Sequence, residues 1–121
     1  MSRRIVTGVL LAAWLATGAA MAADEVHTVE QLNQAPAELE GEKVRLQGIV
    51  GRVNDDIMGR NFIHLVDGTG AEGDYITITS TELPAVGDRV EVTGTLILDR
   101  DFGAGYTYPV IIENAEFAER Q

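Results

Sequence analysis

The clearest order in the chain is alternation. From Lys43, polar and apolar residues take turns through Gly48, which puts Val44, Leu46 and Gly48 on one face of a half-buried strand that continues to about Val53. Gly48, in mid-strand, marks a bend or bulge that lets one long strand serve two sides of a small barrel. The same period of two returns in Phe62–Val66, with Ile63 and Leu65 on one face and Phe62, His64 and Val66 on the other. It returns again in Tyr75–Thr79, with Ile76 and Ile78 inward and Tyr75, Thr77 and Thr79 outward. Arg89–Leu98 carries Val90, Val92, Gly94, Leu96 and Leu98 on one face, and Pro109 to about Phe117 gives a fifth strand.

Turn chemistry separates these runs. Asn54–Asn61 reads as a connecting loop, and Asp67-Gly-Thr-Gly70 as a tight reversal, since Asp suits a turn entry and each Gly takes positive φ cheaply. Ser80–Val86, containing Pro84, is too short for a full helix. Asp99–Tyr108 is a loop with Gly103-Ala104-Gly105 at its tip. Before the strands, Ala23–His27 reads as a loose acidic lead. Thr28 followed by Gln31 has the spacing of a capping box, so a short helix starts there with Val29, Leu32 and Ala35 facing a core and Pro36 ending it. The last three residues are expected to fray.

Composition changes this picture at the N-terminus. Arg3 and Arg4, an apolar run from Ile5 to about Ala16, and Ala20-Met21-Ala22 form the pattern of a secretory signal peptide over residues 1–22. The run is shorter than the roughly 20 apolar residues of a membrane span, so no stable membrane insertion is expected after cleavage. The expected organisation is a signal peptide over 1–22, a lead and short helix over 23–38, and one strand-built domain over 39–118, periplasmic or secreted. The formal charge of the 121-residue chain is −10. All 19 acids follow Ala22 while two of the nine bases precede it, so seven bases face nineteen acids and the remainder carries −12. Such a charge repels polyanions and works against nucleic-acid binding, which rests largely on Lys and Arg at phosphates. With no cysteine there is no disulfide, thiolate metal site or thiol nucleophile.

Two segments carry a family resemblance. Phe62-Ile-His-Leu-Val-Asp-Gly-Thr-Gly70 is similar to the Phe-x-x-Leu-x-Asp-Gly-x-Gly segment of nucleic-acid-binding OB domains of the tRNA-anticodon and helicase type. Leu39–Gly48 and Gly87-Asp-Arg-Val90 with Val92-x-Gly94 resemble that family's entry to strand one and its strand four. The wider pattern, with Met58-Gly-x-Asn-Phe-Ile-His-Leu65 and Phe102-Gly-Ala-Gly-Tyr-x-Tyr-Pro-Val-Ile-Ile112, also resembles small exported bacterial OB proteins of unassigned function. Some of those accompany periplasmic c-type cytochromes. The resemblance spans about Leu39–Phe117 and implies an all-β fold: a five-stranded OB-fold (Greek-key) barrel with a short N-terminal helix.

It also implies a working surface. Ligands of oligonucleotide-binding OB domains lie across strands two and three, flanked by the first and last inter-strand loops. Carried onto this chain, that surface holds Phe62, His64, Tyr75 and Thr77, with Met58, Arg60, Phe102, Tyr106 and Tyr108 at its rims. Aromatic side chains there can stack on bases. The cationic half of such a site is thin, because Arg60 and Arg100 are accompanied by Asp55, Asp56, Asp99 and Asp101.

Other chemistry has less to stand on. Met58 and His64, with His27, offer soft ligands of the kind copper takes, but in no closed metal motif. Asp55-Asp56 and Asp99-x-Asp101 lack the spacing of a calcium loop. There is no Gly-x-Ser-x-Gly elbow, and Gly68-Thr-Gly70 opens no helix that would hold phosphate. The sequence therefore predicts a non-enzymatic binding or accessory module with no cofactor, which engages a periplasmic protein or small ligand through the face of strands two and three, and the resemblance implies an association with periplasmic cytochrome systems; single-stranded nucleic acid is the alternative, and copper at Met58 and His64 a further one. His64 is expected on the outer face, titrating near the usual value of about 6.5.

Overall fold

In the computed structural model, which describes residues 25–120, the alternating runs are strands of one closed sheet. The expected signal peptide lies outside the described residues. The strands are β1 (Val26–His27), β2 (Lys43–Ile57), β3 (Arg60–Val66), β4 (Ile76–Ser80), β5 (Arg89–Asp101) and β6 (Thr107–Glu119). Helix α1 (Val29–Asn33) and a 3₁₀ turn (Ala37–Leu39) precede β2. Hydrogen-bonded neighbours run β2-β3-β4-β6-β5, and β5 pairs back onto β2 to close the ring. All pairs in the ring are antiparallel except β4–β6, which is parallel through Thr77↔Ile111 and Ile78↔Ile112. This is the expected all-β OB-type barrel of five strands, with β1 as a short sixth attached to β2.

The core follows from the alternation. Val44, Leu46, Val50, Ile63, Leu65, Ile76, Ile78, Val90, Val92 and Leu96 point inward and are almost fully buried. Each such side chain contributes about 1.5–3 kcal/mol relative to exposure. Helix α1 adds Val29 and Leu32 to the same cluster. Its capping box forms as the spacing predicts: Gln31 N–H donates to Thr28 Oγ1 (3.1 Å), and Thr28 N–H donates to Gln31 Oε1 (2.9 Å). Five residues are too few for a stable isolated helix. The Asp67–Gly70 turn holds it: Asp67 Oδ2 accepts from Val29 N–H and Thr69 Oγ1 from Glu30 N–H, both at 2.9 Å. That turn thus serves as an N-terminal clamp, offering acceptors rather than the donors a phosphate would need.

Two glycines let the wall close. A Cβ on Gly48 would collide with the carbonyl oxygen of Val66, and one on Gly94 would meet Ile112 Cγ2 at 2.5 Å and Glu113 O at 3.0 Å. The irregularity expected at Gly48 lies instead between Val50 and Arg52, where the β2–β3 register shifts. Gly48 is needed for close strand approach. Gly94 sits at a shift between β5 and β6, opposite Asn114, whose φ is +55°. This bulge changes which residues of β6 face inward: Val110 and Ile112 before it, Ala115 and Phe117 after it. Ile111 and Glu113, alternating with Val110 and Ile112, lie on the outside of the wall.

Several boundaries differ from expectation. The loop expected over 54–61 is mostly strand, because β2 runs to Ile57 and β3 starts at Arg60. Met58 and Gly59 make a two-residue turn with φ of +54° and +80°, the signs of a type I′ hairpin. Asp56 N–H donates to Asn61 Oδ1 (2.9 Å) across its base. β5 extends to Asp101 and β6 begins at Thr107, so the last loop shrinks to 102–106. The acidic lead is also partly ordered: Val26 and His27 pair in parallel with Arg45 and Leu46, and His27 is buried.

Candidate ligand-binding face

The residues expected to form a working surface occupy the outer side of β3, β4 and β6. On β3, Phe62 pairs with Thr79 and His64 with Thr77, and Thr77 pairs in turn with Ile111 of β6. Ile63 and Leu65 point into the barrel, so His64 stands outside it, as the alternation requires. Yet this outer face is not uniformly open. Phe62 is only 4% exposed, Thr77 5% and Ile111 0%.

Phe62 is covered by the β5–β6 loop. Its turn is held by Phe102 N–H to Tyr106 O (2.8 Å) and by Gly103 N–H to Asp101 Oδ1 (2.7 Å). This folds Phe102 back onto the wall. The Phe102 ring meets Phe62 edge-on at 5.6 Å and Tyr108 at 5.9 Å, while Phe62 and Tyr108 lie 5.9 Å apart. Arg100 and Arg60 place their guanidiniums 4.7 Å and 5.3 Å from the centre of the Phe102 ring. Both arginines converge on Glu113, whose side chain is 12% exposed: Arg60 Nη1 lies 3.4 Å from Oε1, and Arg100 Nε 2.9 Å from Oε2. The Arg100 contact is an ion pair whose Nε–H is not aligned on the oxygen. Glu113, rather than the neighbouring aspartates, is therefore what these arginines answer to. It also consumes their charge.

Beside this cluster the face opens. The His64 and Tyr75 rings stack at 3.9 Å with 12° between planes, and Tyr75 remains 46% exposed. Asn33 Nδ2 of α1 donates to Tyr75 O (3.0 Å), which fixes that ring's backbone against the helix. A cleft of about 280 Å³ runs from Tyr75 to Tyr108, lined also by Asn33, Ala35, Thr77, Pro109 and Val110. Two phenol rings and a proline make its walls, with amide and hydroxyl groups between them. Burial, and then the nearby Tyr106 and Tyr75, raise the Tyr108 pKa, so its hydroxyl stays protonated as a donor. For His64, burial and then the Arg52 charge lower the pKa below 6.5. That corrects the expectation of an ordinary value: this imidazole takes up a proton less readily than a free one.

Of the nine expected residues, Arg60, Phe62, Phe102 and Tyr108 form one cluster and His64 and Tyr75 a second, with Thr77 buried between them. Tyr106 is an exposed ring at the loop. Met58 stands apart in the β2–β3 turn. At about 3.3 Å per residue, residues 60 and 64 alone are on the order of 13 Å apart along β3, so Met58 and His64 cannot share one copper ion. Among the described residues, no group of three or more His, Cys, Asp or Glu is arranged to hold a metal. Glu113 was missed by the sequence reading, although a lone acid closing the run Val110-Ile111-Ile112 was the available signal.

No protein-family model and no curated protein matches the chain. Among solved structures it is similar to a protein assigned as an aspartyl-tRNA synthetase from Leishmania major Friedlin, at 15% identity with a TM-score of 0.56. The likeness covers 80% of this chain and 21% of that one, so the chain spans about a fifth of that protein's length. At this identity the likeness establishes a shared barrel fold.

Proposed function

We propose that this protein is an exported, non-enzymatic OB-type binding module that takes a ring-bearing protein segment or small molecule on the open part of its outer face. One observation carries the reading: the cleft between Tyr75, backed by the stacked His64, and Tyr108. Fixed aromatic walls recognise flat or apolar groups, and the Asn33 and Thr77 side chains set orientation. Arg60 and Arg100 are paired with Glu113, whereas Arg52, the β2 partner of His64, brings its charge beside the ring stack, so the face carries one cation next to its aromatic walls. Export rests on the basic start, apolar run and Ala-x-Ala of residues 1–22.

A second reading is a short single-stranded oligonucleotide. The fold likeness to part of an aspartyl-tRNA synthetase structure supports it better than it supports an accessory role beside cytochromes. Base–aromatic stacking on Tyr75 and Tyr108 would supply about 1–3 kcal/mol per base. The formal charge of −10 opposes it.

Two measurements separate the readings. Partners captured from a periplasmic extract are expected to be lost with Tyr75→Ala and Tyr108→Ala; capture unchanged in both variants would sink the assignment of this face. Labelled single-stranded DNA and RNA are expected to bind weakly at low salt. Binding tighter than about 10 μM with a steep salt dependence would establish the oligonucleotide reading instead.

A further inference from the structure

A different cleft, of about 450 Å³, opens at the far end of β3 from Phe62, where Ile49 of β2 pairs both with Val66 of β3 and with Arg89 of β5. Its floor is apolar: Ile49 is 41% exposed and Val66 lies beside it. Its rim is cationic. Arg89 and Arg120 both line the cleft, and Arg120 N–H donates to Arg89 O (2.8 Å), which ties their backbones together. Among the described residues neither guanidinium takes part in an ion pair or side-chain hydrogen bond, whereas Arg45, Arg60 and Arg100 all do.

One carboxylate, Asp67, also lines the cleft, but its oxygens are engaged elsewhere. Oδ2 accepts from Val29 N–H, and Oδ1 from Thr69 N–H (3.0 Å) and Oγ1 (2.6 Å). Two guanidiniums against one carboxylate leave the lining one net positive charge, within a chain of net charge −10. That balance fits a monoanion. A phosphate dianion would overfill it and meet the repulsion of the whole chain.

We propose that this cleft is a second binding site, for a small free carboxylic acid with a short aliphatic or aromatic tail. The tail lies on Ile49 and Val66, and the carboxylate accepts hydrogen bonds from Arg89 and Arg120 in the planar geometry guanidinium offers. The cleft volume is in the range of small-molecule sites. None of the residues of the aromatic face takes part.

Titration with hexanoate, followed by amide NMR shifts, tests the site. Saturable shifts are expected at Gly48, Ile49 and Gly68. Acetate (charge without tail), hexanol (tail without charge) and inorganic phosphate should each bind roughly tenfold more weakly or worse. Both arginines are exposed, so the double variant Arg89→Gln/Arg120→Gln should keep its melting temperature and lose at least about tenfold in hexanoate affinity. Should that variant fail to fold, Ile49→Thr supplies the same test from the apolar side. Tyr75→Ala should leave hexanoate binding unchanged, which separates this site from the aromatic face. The proposal is overturned if hexanoate gives no saturable shift, if hexanol or phosphate binds as well, or if the variants bind like the parent chain.

Discussion

The two sides of one barrel wall are packed by different means. Inside, Ile63, Leu65, Ile76 and Ile78 interlock with residues from every other strand of the ring, and each is at most 1% exposed. Outside, Phe62 reaches almost the same burial, but one loop and an Arg–Glu–Arg bridge do the covering. Inner burial is enforced from all directions by strands that cannot separate without unfolding. The burial of Phe62 rests on one loop of five residues. Equal exposure values therefore describe unequal commitments to the fold, and only the outer kind leaves room for a ligand to compete.

Paired substitutions sharpen this contrast. Leu65→Ala, inside, is expected to cost about 4 kcal/mol in urea denaturation, because the surrounding strands cannot collapse into the cavity. Phe62→Ala, three residues away and outside, should cost about 3 kcal/mol despite the larger side chain, since Phe102 and its loop can settle into the space. Equal or reversed costs would break the distinction.

Smaller still is the effect of Glu113→Gln, which removes the charge that both arginines share. Because the two guanidiniums are a third or more exposed, solvent screens the loss, and about 1 kcal/mol is expected. The specific signature is local: amide exchange at Phe102 and Tyr106 should speed up while the strands stay protected. Uniform acceleration throughout the barrel would mean that the bridge holds the whole fold rather than the loop.

The smallest effect is a pH dependence. The His64 pKa in the folded protein lies below its unfolded value of 6.5, first through burial and then through Arg52. Above that value both states are neutral at this site and stability is unaffected. As pH falls through 6.5 the unfolded chain takes the proton first, so stability declines until the folded imidazole is protonated as well. The His64 ring resonances should therefore titrate below 6.5, and Arg52→Gln should raise the midpoint without restoring it fully. A midpoint at or above 6.5 would contradict this placement.

The same division explains what was readable in the sequence. Period-two alternation marks inward residues directly, so the strands, the inward set on β2 to β5 and the outward placement of His64 were legible from Val44, Ile63, Ile76 and Val90 onward. Outer burial leaves no periodic trace. Phe62 is covered by Phe102, forty residues away in sequence, and Glu113 is held by Arg60 of β3 and Arg100 of β5, which no local pattern on β6 shows. The β2–β3 hairpin was misread as a loop because Met58 takes a positive φ more usual for Asn, Asp or Gly. The order at Val26–His27 was invisible for a related reason: two residues cannot show a period.

That two-residue strand has a consequence for how the molecule meets its own kind. β3 leaves β2 at Ile49, so the first half of β2 would present bare N–H and C=O groups on that side. β1 covers this stretch at Arg45 and Leu46. An uncovered edge is a template on which another copy can add a strand and begin an aggregate. By occupying that edge, Val26 and His27 act as a guard against self-templating, disproportionate to the little surface they bury.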